Sequence, residues 1–316
     1  MKRFFILSAA AVFIIMIIPP IIVLIMGGVA DNSEGDRGLI KVYFAAEDKV
    51  LEINRAEYLE GVVAAEMAAE FNKEALRAQA VAARTYMVYH SENAKEHKDG
   101  AVVCTDYKHC QAWTNIDDKM ESWGDNAEKY RHKIEQAVKA TSDEVIAYED
   151  KPINAVFFST SSGNTENAAD VWGEAFPYLV SVSSPGEESA PNFTSESVVS
   201  KDEAKKLLSD FNAKLKNADF SGTVFSDIER SEAGGIKSIS VCGVKIKGTE
   251  LRSIFSLKST NVQIDESGDS IKFSVKGYGH GVGMSQYGAQ AMAENGADYK
   301  EILAHYYTGT SVIKQK

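Results

Sequence analysis

The sequence predicts an α+β fold: an N-terminal transmembrane helix followed by a mixed α+β core that a smaller α/β subdomain interrupts. Three observations lead to this prediction. A long segment near the N-terminus carries no ionisable side chain. After it, helical and strand-like patterns follow one another along the chain. Finally, residues 191–255 contain short strands and turns but none of the motifs that flank them.

The composition is that of a folded protein. Of 316 residues, 44% are hydrophobic, 25% are charged and six are proline, which excludes disorder and low complexity. Lysine and arginine number 34 against 45 aspartate and glutamate, a formal charge of −11. This excess of acidic residues argues against nucleic-acid binding, which needs surplus basic residues. Three cysteines are too few for a disulfide scaffold.

Residues 4–29 form an apolar run longer than the roughly 20 residues that cross a bilayer. Lys2 and Arg3 precede the run and acidic residues follow it, so the positive-inside rule leaves the N-terminus in the cytoplasm. We therefore expect residues 1–30 to be a single-pass membrane anchor, with an acidic domain outside. The alternative is a long signal peptide that is cleaved near Gly28-Val29-Ala30.

The first half of the outer domain is predicted to hold strands at 39–44 and 50–53 and helices at 55–65, 73–90 and 126–142. Asn72 is a good N-cap for the second helix. In that helix an apolar stripe of Leu76, Ala80, Ala83 and Met87 faces the core. Residues 94–123 show little periodicity and are predicted to be irregular. Residues 145–150 and 153–160 are predicted to pair as a hairpin.

The second half is predicted to contain a helix at 200–215 and several short strands over 223–273. A glycine-dense segment, 277–283, precedes helical residues around Gln290 and Ala293 and then 302–307. We therefore divide the chain into an anchor (1–30), a core (31–190 and 256–316) and an inserted subdomain (191–255).

Glu66 is the first candidate for chemistry, because it lies in the apolar context VVAAEMAAE. A carboxyl in apolar surroundings has a raised pKa, since desolvation penalises the charged form. Such a group can act as a general acid near neutral pH. The alternative is an ordinary solvated or paired helix residue.

Two polar or glycine-rich segments are further candidates. The run STSSGNTE at 159–166 follows a strand-like segment, and its hydroxyls, amides and carboxylate suit a sugar, or alternatively form a solvated loop. The glycines around His280 permit close backbone approach to a bulky group. The zinc motif HExxH, the phosphate loop and the serine nucleophile elbow are absent from the sequence.

Three blocks of the sequence resemble the SpoIID/LytB family. They are EMAAEFNKEALRAQAVAARTYM (66–87), FFSTSSGNTENAADVWG (157–173) and GYGHGVGMSQYGAQAMA (277–293). The blocks occur in the family's order and cover most of the predicted core. The chain departs from the family pattern at Ala68 and Lys73, where proline is frequent, which affects backbone stiffness rather than chemistry.

The resemblance implies a peptidoglycan lytic transglycosylase that acts in spore engulfment on peptide-free glycan, cleaving the bond between N-acetylmuramic acid (MurNAc) and N-acetylglucosamine (GlcNAc) with 1,6-anhydro-MurNAc formation. It implies Glu66 as acid and base, and it ties Arg84 to activity by orienting glycan or adjusting the charge of Glu66. The residues expected to line the saccharide groove are Ser159, Thr160, Ser161, Asn164, Thr165, Glu166, His280, Ser285 and Gln286. The alternative is a LytB-type, non-catalytic binder and activator of a cell-wall amidase.

The resemblance also implies partners and a location. The partners are peptidoglycan strands, a SpoIIP-like amidase/endopeptidase and a SpoIIM-like membrane protein. The location is the mother-cell membrane, with the catalytic domain facing the intermembrane space.

Cys104 and Cys110 lie close in sequence, with His97 and His109 nearby. Some members of the family place a His-Cys-Cys zinc site near the glutamate, which implies Cys104, Cys110 and His97 as three ligands and water or a nearby group as the fourth. His109 is less suitable, because its neighbour Cys110 would have to share the ion. A Cys104–Cys110 disulfide and free thiols remain alternatives. Cys242 is expected to be a small core residue, and Cys110 lacks the context of a hydrolase nucleophile.

Overall fold

Helices and strands alternate along the part of the chain that the computed structural model describes, which is residue 36 and residues 38–93 and 97–315. In these ranges the fold is α+β, as predicted. The helices are α1 (Arg55–Glu66), α2 (Lys73–Glu92), α3 (Ile116–Trp123), α4 (Ala127–Ala140), α5 (Ala168–Trp172), α6 (Lys201–Phe211), α7 (Gly248–Ile254), α8 (Gln286–Glu294) and α9 (Tyr299–Tyr306). The strands are β1 (Leu39–Phe44), β2 (Lys49–Asn54), β3 (Val103–Cys104), β4 (Glu144–Tyr148), β5 (Lys151–Pro152), β6 (Phe157–Phe158), β7 (Thr194–Ser200), β8 (Phe225–Arg230), β9 (Ile236–Val241), β10 (Val244–Lys247), β11 (Val262–Ser267), β12 (Ser270–Lys276), β13 (Met284–Ser285) and β14 (Ser311–Lys314).

The predicted membrane anchor, residues 1–30, lies outside the described residues. Within the described ranges, no helix combines the length and the apolar content that a bilayer crossing demands.

Helix α2 is the centre of the first hydrophobic core. The Asn72 side chain accepts a hydrogen bond from Glu74 N and caps the helix, as its sequence predicts. The burial is wider than the predicted single stripe, because Ala75, Ala78 and Val81 are also fully buried. Alanine side chains let neighbouring elements approach closely, and α1, α4, α8, α9 and β4 all pack against this helix.

The strands form small sheets rather than one continuous sheet. The strand orders are β2-β1-β3, β10-β9-β8, β11-β12-β7, β13-β6 and β14-β4-β5. The predicted strands near residues 39–54 pair antiparallel as β1 and β2, with Tyr43 opposite Val50.

The predicted hairpin of 145–150 with 153–160 is wrong in its second strand. Strand β4 turns at Glu149 and Asp150, both at positive φ, and pairs with the two-residue β5. Such a tight turn brings only the nearest residues together. The chain then leaves this sheet, and β6 pairs in parallel with β13, so Phe158 lies opposite Ser285. This pairing joins the second and third sequence blocks.

The segment 94–123, predicted to be irregular, contains β3 and α3 among its described residues. Asn115 caps α3 by accepting a hydrogen bond from Asp117 N, and Asp118 also lies in the first turn. An N-cap followed by acidic residues is a helix-start signal, and the prediction overlooked it.

A second hydrophobic core lies in the later part of the chain. Its buried residues begin at Ala204 and include Ile239 and Leu251. They also extend past the predicted boundary at 255, to Phe273 and Val275. The assignment of 191–255 as an inserted subdomain stays a prediction.

Candidate functional site

A cavity of about 810 Å³ opens at the C-terminal end of α1. Its wall includes Glu66 from α1, the loop at 107–112, Ser159 after β6, His280 and Gln286. These residues are far apart in the sequence. The three blocks that carry the resemblance therefore meet at one place.

Glu66, the last residue of α1, is half-buried and is held by both carboxylate oxygens. Ala112 N donates to Oε1 at 2.7 Å, and Gln286 Nε2 donates to Oε2 at 3.0 Å. Burial raises the pKa of Glu66, and the two hydrogen bonds oppose that effect because they favour the charged form. The net direction is upward, so this carboxyl retains its proton to a higher pH than a solvated glutamate does.

A buried carboxyl, Glu187, supports the turn that presents Gln286. Ser285 is the N-cap of α8, and its hydroxyl donates to Glu187 Oε2 at 2.6 Å. Ser161 N and the Ser184 hydroxyl also donate to Glu187, at 2.7 and 2.5 Å. Burial raises the pKa of Glu187 to about 7, against these hydrogen bonds. The cluster ties the start of α8, and with it Gln286, to the 159–187 region.

His280 is uncharged at neutral pH. Val282 N donates to its Nδ1 at 3.1 Å, so the ring proton lies on Nε2. Burial lowers the pKa of His280 to about 4, with a further contribution from the positive charge of Arg252. The ring packs near Phe158 and Trp172, with centroid distances of 5.6 and 5.3 Å. A neutral imidazole in this position adds no positive charge to the cavity wall.

The close backbone approach expected of the glycine-dense segment occurs within the protein itself. Gly279 has φ +125°, and a Cβ there would lie 2.6 Å from Phe158 Cβ. Only glycine allows the segment to lie against β6 at this point.

The residues predicted to contact sugar divide into two groups. Ser159, His280 and Gln286 line the cavity. The other six are absent from its wall. Five of them are buried, and Asn164 is exposed beside Ser183. The five buried residues are Thr160, Ser161, Thr165, Glu166 and Ser285.

The buried members of the polar run serve the protein's own backbone. The Thr165 hydroxyl accepts from Val182 N at 2.9 Å. The Glu166 carboxylate accepts from Gly235 N at 3.0 Å and lines a separate cleft of about 220 Å³. Buried polar groups need such partners, and these side chains have them within the fold.

Arg84, predicted to orient glycan or to adjust the charge of Glu66, lies away from the cavity. Its side chain is 1% exposed. The guanidinium makes two hydrogen bonds of 2.8 Å with Asp36 and others with the carbonyls of Val138 and Glu144. The buried pair with Asp36 makes this arginine a structural residue.

Two cysteines and two histidines lie together at the rim of the cavity. The ligand atoms of His97, Cys104, His109 and Cys110 all lie within 4.8 Å of one another. His109 Nδ1 is 3.5 Å from both thiol sulfurs, and both cysteines are free thiols. Two thiolates and two imidazoles fit the tetrahedral donor set of a metal ion. The cluster could therefore hold a metal.

His109 was expected to be the less suitable ligand, but its ring nitrogen lies within the cluster. Asp106 O accepts hydrogen bonds from both His109 N and Cys110 N, which forms a tight turn. The turn brings both side chains towards Cys104, so adjacent residues reach one site.

Three residues of this region were not found by reading the sequence: Glu187, Arg252 and Trp172. Arg252 and Trp172 line the cavity, and Glu187 supports it. Arg252 comes from the segment without motifs. Trp172 and Glu187 lie in or after the second block without any local pattern to distinguish them.

Comparisons with known proteins identify relatives of this chain. The SpoIID family model, described as stage II sporulation protein, matches residues 44–148. Stage II sporulation protein D of Bacillus amyloliquefaciens is 37% identical over 275 residues, which cover 86% of this chain and 78% of that protein. Its counterpart in Bacillus subtilis (strain 168) is 36% identical with the same coverage. The amidase enhancer of Bacillus subtilis is 29% identical over 302 residues, covering 80% of this chain and 40% of the enhancer.

Proposed function

The chain belongs to the SpoIID family, and from this premise we propose that it is a lytic transglycosylase of peptidoglycan. It cleaves the bond between MurNAc and GlcNAc in peptide-free glycan strands and leaves a 1,6-anhydro-MurNAc end. The biological setting is spore engulfment.

One observation carries this proposal: among the described residues that line the cavity, Glu66 is the single carboxyl. A glycoside hydrolase of the common type needs two carboxyl groups, one of them to activate water or to attack the sugar. A transglycosylase needs one, because the attacking hydroxyl belongs to the substrate and is already close to the reacting carbon.

Glu66 acts twice in the proposed reaction. The protonated carboxyl gives its proton to the glycosidic oxygen as the bond to C1 of MurNAc breaks. The resulting carboxylate takes the proton of the sugar's C6 hydroxyl, whose oxygen bonds to C1 and closes the anhydro ring. Ala112 N and Gln286 Nε2 stabilise the carboxylate between these two events. We expect Ser159 and the remaining polar atoms of Gln286 to contact sugar hydroxyls, because both residues line the cavity.

The test is Glu66→Gln, which keeps the shape of the side chain and removes the acid. We expect glycan cleavage to fall by at least about a hundredfold, the usual contribution of a general acid. Mass spectrometry of peptide-free glycan digests measures the anhydro-muramyl products. The wild-type rate should also fall as the pH rises through the elevated pKa of Glu66, because the protonated form is required.

Glu60→Gln is the matched control. Glu60 lies on the same helix, and burial raises its pKa to about 7, but it is not part of the cavity wall. Cleavage at the wild-type rate by Glu66→Gln would refute the role of Glu66.

A second candidate function is activation of a cell-wall amidase without glycan cleavage. The similarity to the amidase enhancer favours it. The two functions separate in an assay of the protein alone and with an amidase on the same glycan. Faster amidase action without any anhydro-muramyl product would support the activator.

We also propose a location and partners. The apolar residues 4–29 suit a single-pass anchor in the mother-cell membrane, with the cavity outside. A SpoIIP-like amidase/endopeptidase would supply peptide-free glycan, and a SpoIIM-like membrane protein would assemble with both.

We propose zinc as the metal of the His97, Cys104, His109 and Cys110 cluster, because thiolate and imidazole ligands suit it. A bound zinc ion would supply a fixed cross-link between these four residues. Cys110 precedes Ala112 by two residues, so the ordered loop would hold the amide that donates to Glu66.

A further inference from the structure

The charge of the cavity is opposite to the charge of the chain. The chain as a whole carries −11. Among the described residues that line the cavity, the lysine, arginine and acidic side chains are Lys108, Arg252 and Glu66. When Glu66 is protonated, the cavity is cationic. Such a cavity in an acidic protein concentrates anions at one place.

Of the two cations, Arg252 is the one that is partly buried. It lies on α7 and is half-buried, and its Nε donates to Leu257 O at 3.2 Å. Within the described ranges no carboxylate forms an ion pair with this guanidinium. A partly desolvated charge without a counter-ion is unfavourable, so an anion that enters the cavity would stabilise it. The planar guanidinium matches a carboxylate with two parallel hydrogen bonds.

Two partly exposed aromatic rings line the same cavity as this arginine. They are Trp172 and Tyr278, which are 41% and 36% exposed. Lys258 Nζ lies 4.5 Å from the centroid of the Tyr278 ring and adds a second positive charge nearby. Exposed rings offer an apolar face for a sugar ring, and the cations offer partners for an acidic substituent.

We propose that Arg252, together with Trp172 and Tyr278, forms a subsite for a sugar that bears a carboxylate. The polymer follows from the proposed function, on which this inference rests, and in that polymer the acidic sugar is MurNAc. Its lactyl group ends in a free carboxylate in peptide-free glycan. In glycan that retains its stem peptides, the same group is an amide and the carboxylates lie on the peptide. Arg252 therefore selects MurNAc over GlcNAc at this subsite and favours strands without peptides.

Binding tests this proposal in the Glu66→Gln background of the full chain, where the ligand is not consumed. The ligands are peptide-free glycan oligosaccharides, the same oligosaccharides with their lactyl carboxylates converted to methylamides, and chitooligosaccharides of equal length. Arg252→Gln should weaken binding of the first ligand by about tenfold or more, the effect of losing a charge-assisted hydrogen bond. Binding of the two neutral ligands should not change.

Two further variants make the result specific. Arg230→Gln removes another arginine, which bonds the carbonyls of Gly234 and Val262 outside this cavity, and should leave all affinities unchanged. Arg252→Lys keeps the charge and should retain part of the preference for the carboxylate.

Equal losses of affinity for all three ligands, or no loss of affinity for any of them, would overturn the proposal. If Arg252→Gln does not fold, the wild-type side chain remains testable, since equal affinity for the carboxylate and methylamide ligands overturns it too. Glycan with stem peptides is the fourth ligand. If it binds as tightly as peptide-free glycan and this binding depends on Arg252, the recognised carboxylate belongs to the peptide. That result would refute the lactyl assignment. Arg252-dependent binding by a protein that forms no anhydro product would refute the proposed function alone.

Discussion

Glu66 obtains its two hydrogen-bond donors from distant parts of the chain, Ala112 and Gln286. Neither donor is charged, so the carboxyl is oriented without an ion pair that would lower its pKa strongly.

Arg84 is in the opposite situation, because its charge is paired with Asp36 in the interior. Loss of Arg84 would leave a buried carboxylate unpaired and cost about 3–5 kcal/mol. Substitution there would reduce activity through folding.

Glu187 gives a prediction about pH. Its pKa is raised to about 7 in the folded protein, so its contribution to stability is complete below the unfolded value of about 4.5 and declines as the pH rises through about 7. We expect the Tm of the wild type, relative to Glu187→Gln, to decrease between pH 5 and pH 8. Thermal unfolding at several pH values measures this difference.

Glu232→Gln is the control, because this carboxyl is exposed and its charge is not among those that act on Glu187. It should show a constant difference from the wild type over the same range. A constant difference for Glu187→Gln as well would contradict the raised pKa.

At the level of elements, the loop between α2 and α3 links the proposed metal ligands to Glu66, the proposed catalytic carboxyl. It carries Cys104, His109 and Cys110 and then Ala112, the donor to Glu66. Between β3 and α3, residues 105–115 form no further helix or strand. A metal that joins its side chains would contribute stability that the loop's own contacts do not supply.

The proposed metal cluster predicts that Cys104 and Cys242 differ in their effect on zinc content. We expect the purified protein to contain about one zinc per chain, and Cys104→Ser to lose it and to unfold at a lower temperature. Metal analysis and thermal unfolding, with and without a chelator, measure both effects.

Cys242→Ser is the matched control, since this thiol lies outside the cluster and bonds Asp219 O. It should keep its zinc. Unchanged zinc content in Cys104→Ser would exclude the site.

At the scale of the whole molecule, two hydrophobic cores meet through polar contacts. Lys237 and Asp170 form an ion pair of 2.7 Å, and the Asn261 amide donates to Ser162 Oγ at 2.9 Å. The second core also provides Arg252 to the cavity of the first. The later part of the chain therefore contributes a side chain to the wall of the cavity.

The proposed anchor is a property of the whole chain. Deletion of residues 1–30 should move the protein from the membrane fraction to the soluble fraction, because no other apolar run of that length occurs in the sequence. Fractionation and immunoblotting measure the distribution, and the full chain in the same cells is the control. A full chain found in the soluble fraction would argue against the anchor.

The sequence predicts local features well and long-range contacts poorly. The Asn72 cap, the strands β1 and β2 and the family were all predicted and are confirmed. Such features depend on neighbouring residues or on whole motifs. Arg252 could not be predicted, because its role depends on an element about 190 residues from Glu66 in the chain. Likewise, the hydroxyls of Thr165 and Ser161 look like ligand-binding groups until their backbone donors, Val182 N and Gly163 N, are known.

The Asp36–Arg84 pair determines how the domain would bear mechanical load. Asp36 lies just before β1, on the side of the chain that leads to the proposed tether, and both of its carboxylate oxygens are held from the middle of α2. A pull from the membrane would therefore reach the most deeply buried helix first, before it could peel β1 from its sheet. Tension on the proposed anchor would thus act on a buried ion pair and not first on Leu39, the exposed first residue of β1.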